Sequence, residues 1–105
     1  MRLELTVQQQ SGMNGAAEKR LFCTFKNHCS IGRDIGDIVV SNDAQMSRIH
    51  ALFYEWQGAL FVRDLKSTNG VRVNDQVVVE GPVRPGALIT VGATTLKIEN
   101  FEPNG

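Results

Sequence analysis

The sequence predicts an all-β domain, a sandwich or a barrel of short strands. Two observations predict it. No stretch keeps apolar residues at the helical period over three turns, whereas short apolar or alternating runs recur along the whole chain. Turn signals separate those runs at close spacing, and ten glycines against one tryptophan and one tyrosine point the same way.

The elements follow in order. Arg2 to Val7 alternates, with Leu3, Leu5 and Val7 on one face and Arg2, Glu4 and Thr6 on the other, which is a half-buried strand. Gln8 to Ala17 has almost nothing to bury and reads as a loop. Lys19 to Phe25 is a strand, Lys26-Asn27-His28 a turn, and Cys29 to Gly32 a short strand. Asp37-Ile38-Val39-Val40 is a β-branched run that reads as a buried strand, and Ser41 to Met46 is a polar loop. His50 to Trp56 and Ala59 to Leu65 form a hairpin about Gln57-Gly58. Val71 to Val73 and Gln76 to Val79 form a second, whose Asn74-Asp75 turn tolerates positive φ. The stretch from Gly81 to Gly86 cannot be helix, because two prolines and two glycines punctuate it. Leu88 to Val91 and Thr94 to Ile98 are the last strands, around Gly92, and the stripes Leu3/Leu5/Val7 and Leu96/Ile98 belong to the core.

Composition narrows the function classes. The 105 residues fit one domain, residues 1–105, with 102–105 suited to a linker stub. Lysine plus arginine equals aspartate plus glutamate at 11 each, which argues against non-specific binding to nucleic acid or membrane. Cys23 and Cys29 make no disulfide framework, and free thiols in a cytosolic domain are expected over a bridge across the turn between them. With His28 they match no zinc spacing, so no metal or cofactor is expected. No signal peptide and no membrane-length apolar stretch are evident, which implies the cytoplasm unless the chain is a piece of a larger one.

Three polar clusters stand between the apolar runs: Gly32-Arg33, Ser47-Arg48-Ile49-His50 and Ser67-Thr68-Asn69-Gly70. Each carries groups that bind an anion: guanidinium, hydroxyl, amide or a glycine-freed backbone N–H. A phosphorylated side chain carries about −1.5 to −2 charge and three acceptor oxygens, which a guanidinium meets with bidentate geometry. Arg33 and Arg48 supply the cations and Ser47 a hydroxyl. Asn69 supplies an amide able to grip an extended peptide, and Thr68 a hydroxyl or the wall of a small apolar pocket.

Taken in order, Ile31-Gly32-Arg33, Asp37-Ile38-Val39, Ser47-Arg48-Ile49-His50-Ala51, Asp64-Leu65, Ser67-Thr68-Asn69-Gly70-Val71 with Asn74, Pro85-Gly86, Ile89 and Val91-Gly92 resemble a forkhead-associated (FHA) domain. The resemblance covers about residues 21–98. It implies a β-sandwich of eleven strands that binds phosphothreonine in extended peptides. By position, Arg33 matches the main phosphate-binding arginine, Ser47 the hydroxyl on a phosphate oxygen, and Arg48 a contact to phosphate or nearby peptide. Thr68 and Asn69 match the loop that touches the peptide, while Gly32, His50 and Gly70 match positions that shape the loops. The implied partner is a phosphothreonine protein in a serine/threonine kinase pathway, with no nucleic acid and no membrane contact. The sequence departs from the family's usual pattern in the loop from Ser41 to Met46, which is about one residue longer and lacks a common proline.

The plainer readings are a solvated Arg33, a Ser47 bonded within its loop, an Arg48 paired with Asp43 or Glu55, and an Asn69-Gly70 that is only a turn. Ser47, His50 and Asp64 supply the types of a hydrolase triad, but a serine and a histidine three apart leading into a strand point to opposite faces, so catalysis is not expected. The alternative to phosphopeptide recognition is a phosphate-independent docking module of a larger complex.

Overall fold

The computed structural model describes residues 1–10 and 16–103. Among the described residues there are eleven strands and no helix. In chain order they are β1 (Arg2–Gln10), β2 (Ala16–Thr24), β3 (His28–Gly32), β4 (Ile38–Val39), β5 (Ala51–Trp56), β6 (Ala59–Asp64), β7 (Val71–Val73), β8 (Gln76–Val78), β9 (Glu80–Val83), β10 (Leu88–Val91) and β11 (Thr94–Glu102). One sheet has the order β2-β1-β11-β10-β7-β8 and the other β4-β3-β5-β6-β9. Neither sheet closes on itself, which decides for the sandwich over the barrel.

The period-2 stripes hold the sheets together. Leu5 lies opposite Ile98, and Val7 and Ile89 both lie opposite Leu96, on the inner face of the first sheet. Phe53 lies opposite Val62 and Cys29 on the inner face of the second. All but Val7, which is 8% exposed, are fully buried. Each such side chain contributes roughly 1.5–3 kcal/mol by leaving water. The two hairpin turns are left-handed at Gln57 and Gly58 (φ 52° and 79°) and at Asn74 and Asp75 (φ 49° and 70°). That backbone twist matches the twist of the flanking strands.

Four stretches differ from the sequence reading. The run 37–40, expected as a buried strand, holds only the two-residue edge strand β4, with Val39 51% exposed. The loop expected over residues 8–17 is shorter: β1 and β2 pair through Gln8↔Glu18, Gln9↔Ala17 and Gln10↔Ala16. A backbone ladder needs no apolar side chain, so a polar hairpin extends past the end of the core. Residues 11–15 of that loop lie outside the described residues. The proline-containing stretch holds a strand, β9, with Pro82 opposite Phe61. Proline is tolerated because β9 edges its sheet, where the missing N–H interrupts no ladder. β11 continues beyond Ile98 because β1 offers partners: Phe101 pairs with Leu3 and Glu102 with Arg2. The end expected as a linker stub thus begins inside a strand, and residues 104–105 lie outside the described residues.

Cys23 and Cys29 are both free thiols. Burial pushes both up, Cys29 the more strongly, so neither is poised as a thiolate.

Candidate functional site

β3 and β4 run parallel, Ile31 beside Ile38 and Gly32 beside Val39, although only residues 33–37 join them. Two sets of bonds fold so short a connection. Asp37 accepts from the Ser30 N–H at 2.9 Å and its hydroxyl at 3.1 Å, bonds that hold its carboxyl below the ordinary carboxylate range, the Ser30 N–H first among them. The other set straps residues 33–35 to the loop before β5. Arg33 N donates to Ser47 O at 2.9 Å, and the N–H groups of Asp34 and Ile35 both donate to Arg48 O, at 3.1 and 2.9 Å. The first and second polar clusters therefore lie directly on one another. Gly32 permits this: a Cβ there would run into the Arg48 and Ile35 carbonyl oxygens and stand 2.8 Å from Ile49 Cα.

His50 joins the second cluster to the third. It is fully buried. Its Nδ1 accepts the Ser47 N–H at 3.0 Å, which leaves the ring proton on Nε2, and Nε2 donates to Gly70 O at 2.7 Å. Its main chain bonds Ile31 O through N–H and Leu65 N through C=O, at 2.9 Å each. His50→Ala is expected to lower stability by about 2–4 kcal/mol, because two partly buried backbone groups lose their partner. Urea denaturation measures this, and an unchanged midpoint would show that water replaces the ring without cost.

The third cluster is shaped by Asp64, whose Oδ1 accepts both the N–H and the hydroxyl of Ser67. Ser67 Oγ in turn accepts the Gly70 N–H at 2.9 Å, and Gly70 leaves the loop at φ 79°. Two bonds then close the third cluster on the second. Ser47 Oγ accepts the Thr68 N–H at 3.0 Å, and Asn69 Nδ2 donates to Gln45 O at 2.7 Å. Both His50 nitrogens are engaged by backbone and Asp64 turns to Ser67, so the three residues form no proton relay.

Arg33, Ser47, Arg48, Thr68 and Asn69 line one open cleft of about 320 Å³, together with Gln45 and Met46. Gly32, His50 and Gly70 stand behind it in the bonds just described. Arg33 is 36% exposed and Arg48 68% exposed. Arg48 pairs with Asp34 at 3.0 Å, and not with Asp43 or Glu55.

Asp43, read from the sequence only as a surface partner, is 4% exposed and structural. Its carboxylate accepts from Gln45 N at 3.0 Å, Ala93 N at 2.9 Å and Thr94 Oγ1 at 2.6 Å. It fastens the loop that presents Ser47 to the turn before β11. At that turn Gly92 (φ 62°) lets the backbone approach, since a Cβ would stand 2.8 Å from Met46 N. The Asp-x-Gln spacing signals the local turn. Nothing near it in sequence signals the bonds to residues 93 and 94.

The sequence model of the FHA domain matches residues 29–92. No curated protein sequence matches the chain. Among solved structures, an FHA domain from a structural and functional analysis of phosphothreonine-dependent FHA domain interactions is 23% identical, with a TM-score of 0.71 over 95% of this chain and 99% of its own. The FHA domain of the CT664 protein from Chlamydia trachomatis is 24% identical, with a TM-score of 0.72 over 93% of this chain and 98% of its own. The FhaA FHA domain, complexed with the intracellular domain of Rv3910, is 24% identical, with a TM-score of 0.70 over 90% of this chain and 99% of its own. These likenesses show a shared fold.

Proposed function

This chain belongs to the FHA domain family, and on that premise we propose that it is a non-catalytic module that reads phosphothreonine in an extended peptide. One observation supports the reading above the others. Residues from three separate stretches, which together supply guanidinium, hydroxyl and amide groups, line a single cleft. The phosphothreonine-dependent interactions of a structurally similar FHA domain point the same way.

In this reading the Arg33 guanidinium takes two phosphate oxygens and Arg48 adds a second cation. The Ser47 hydroxyl keeps its own proton, since its oxygen accepts the Thr68 N–H, and donates that proton to a third oxygen. Asn69 grips the peptide main chain beside the phosphothreonine, and Thr68 borders the pocket for its methyl group. Gly32, His50 and Gly70 shape the loops and touch no ligand. Each charge-assisted bond is worth roughly 1.5–3 kcal/mol. A micromolar complex, about −8 kcal/mol net of the cost of association, needs these bonds together with the contacts to the peptide main chain. That range suits a reversible signal written by a serine/threonine kinase in the cytoplasm.

The test is a titration of a phosphothreonine peptide library against its unmodified twins. Binding confined to the phosphorylated set is the expected result. Equal binding by both sets would replace this reading with a phosphate-independent docking module. Asn69→Ala is expected to weaken binding of the best phosphopeptide by about 1–3 kcal/mol, as a hydrogen bond to the ligand main chain and the tie to Gln45 O are lost together. Calorimetry at full occupancy checks it, and wild-type affinity would remove Asn69 from the site.

A further inference from the structure

The two arginines of the cleft share one carboxylate. Asp34 Oδ2 accepts from Arg48 Nε at 3.0 Å, and Oδ1 stands 3.8 Å from Arg33 Nε. The main chain holds the carboxylate there. Asp34 N and Ile35 N are both bonded to Arg48 O, and Arg33 N to Ser47 O. These bonds fix the position of residue 34 against residue 48.

We propose that Asp34 is a built-in competitor for the anion: its carboxylate engages both guanidinium groups until phosphate displaces it, and so sets the affinity of the cleft. The proposal rests on the reading above, in which Arg33 and Arg48 receive the phosphate. Two guanidinium groups and one carboxylate sum to a single positive charge. A phosphate that enters must part Asp34 from the arginines and then remain beside it as a like charge.

Displacement is feasible because all three side chains are solvated, at 36% exposed for Arg33, 47% for Asp34 and 68% for Arg48. Exposed ion pairs of this kind hold weakly. The exchange favours phosphate, with nearly twice the charge and three acceptor oxygens against the two of a carboxylate.

Asp34→Asn keeps the shape of the side chain and removes its charge. The experiment titrates inorganic phosphate and doubly capped phosphothreonine into the full isotope-labelled chain at pH 7.5 and follows the arginine Nε–Hε signals. The variant is expected to bind both probes about three- to ten-fold more tightly, with the advantage shrinking as salt rises. Asp34→Ala should move affinity in the same direction. Equal or weaker binding by the variants, opposite signs for the two, or an advantage indifferent to salt would overturn the proposal. So would arginine signals that phosphate moves in neither wild type nor variant. If phosphate moves them and Asp34→Asn strengthens the effect, while phosphothreonine peptides bind no better than unmodified ones, the competitor stands and the peptide-reading function falls.

Discussion

Arg33→Ala should abolish phosphopeptide binding while leaving the fold intact. Arg33 hangs from the end of β3, 36% exposed, and its side chain makes only the 3.8 Å approach to Asp34 among the ion pairs of the described residues. Little of the fold depends on the guanidinium. In the proposed reading the ligand depends on it heavily, because two charge-assisted bonds of roughly 1.5–3 kcal/mol each would be lost with it. That corresponds to a loss of at least about a hundred-fold, which carries a micromolar complex beyond the reach of calorimetry. Arg33→Lys retains the charge without the fork and should recover only part of the affinity. Melting temperature and affinity are read on the same samples. Retained affinity in Arg33→Ala would remove the cleft from consideration as the phosphate site.

Gly32→Ala should act the other way round, on the fold first and on binding as a consequence. The obstacles to a Cβ at residue 32 are main-chain atoms: the carbonyl oxygens of Arg48 and Ile35 and the Cα of Ile49. No side-chain rotamer relieves such a clash. Either the strap from residues 33–35 to residues 47–48 opens, or the end of β3 shifts. Overpacking of this kind costs about 1–3 kcal/mol when side chains can yield, and backbone obstacles put this case at or above the upper end. Opening the strap also separates Arg33 from Ser47, so binding should fall even in the fraction that stays folded. Chemical denaturation together with phosphopeptide titration reads both effects. A variant with native midpoint and native affinity would show that the two loops are not pressed together in solution.

The strands of the core were legible wherever one face is buried. Leu3, Leu5 and Val7 alternate because every second residue of a strand faces the same way, and the pattern survives without knowledge of the partner strand. The turns at Gln57-Gly58 and Asn74-Asp75 were legible because a left-handed backbone restricts which residues stand there. The polar hairpin of β1 and β2 was not, since its ladder is made of backbone groups that every sequence carries. Nor was β9, where proline obscured a strand that only its place at a sheet edge permits.

At the cleft the division is similar. Arg33, Ser47, Arg48, Thr68 and Asn69 are recognisable as anion-binding types in a motif order, and the family follows from that order. Asp34 carried no signal in the sequence, and Asp43 was read only as a surface partner for Arg48. Their partners lie at residues 33 and 48 for the one and at residues 93 and 94 for the other. The missing Cβ at residue 32 suits either a positive φ or a close backbone approach, and only the fold decides for the second.

By itself, then, the chain's residue order determined the β class, the strands with a buried face, the family and the chemical types available for a ligand. Only the tertiary structure decided that those types share one cleft, that His50 and Gly32 bind its walls together, and that Asp34 stands between its two arginines. The reason is physical. Alternation and turn preference act over a few neighbouring residues, whereas the distance between Arg33, Ser47 and Asn69 is set by sheet register and backbone bonds between segments that no local pattern relates.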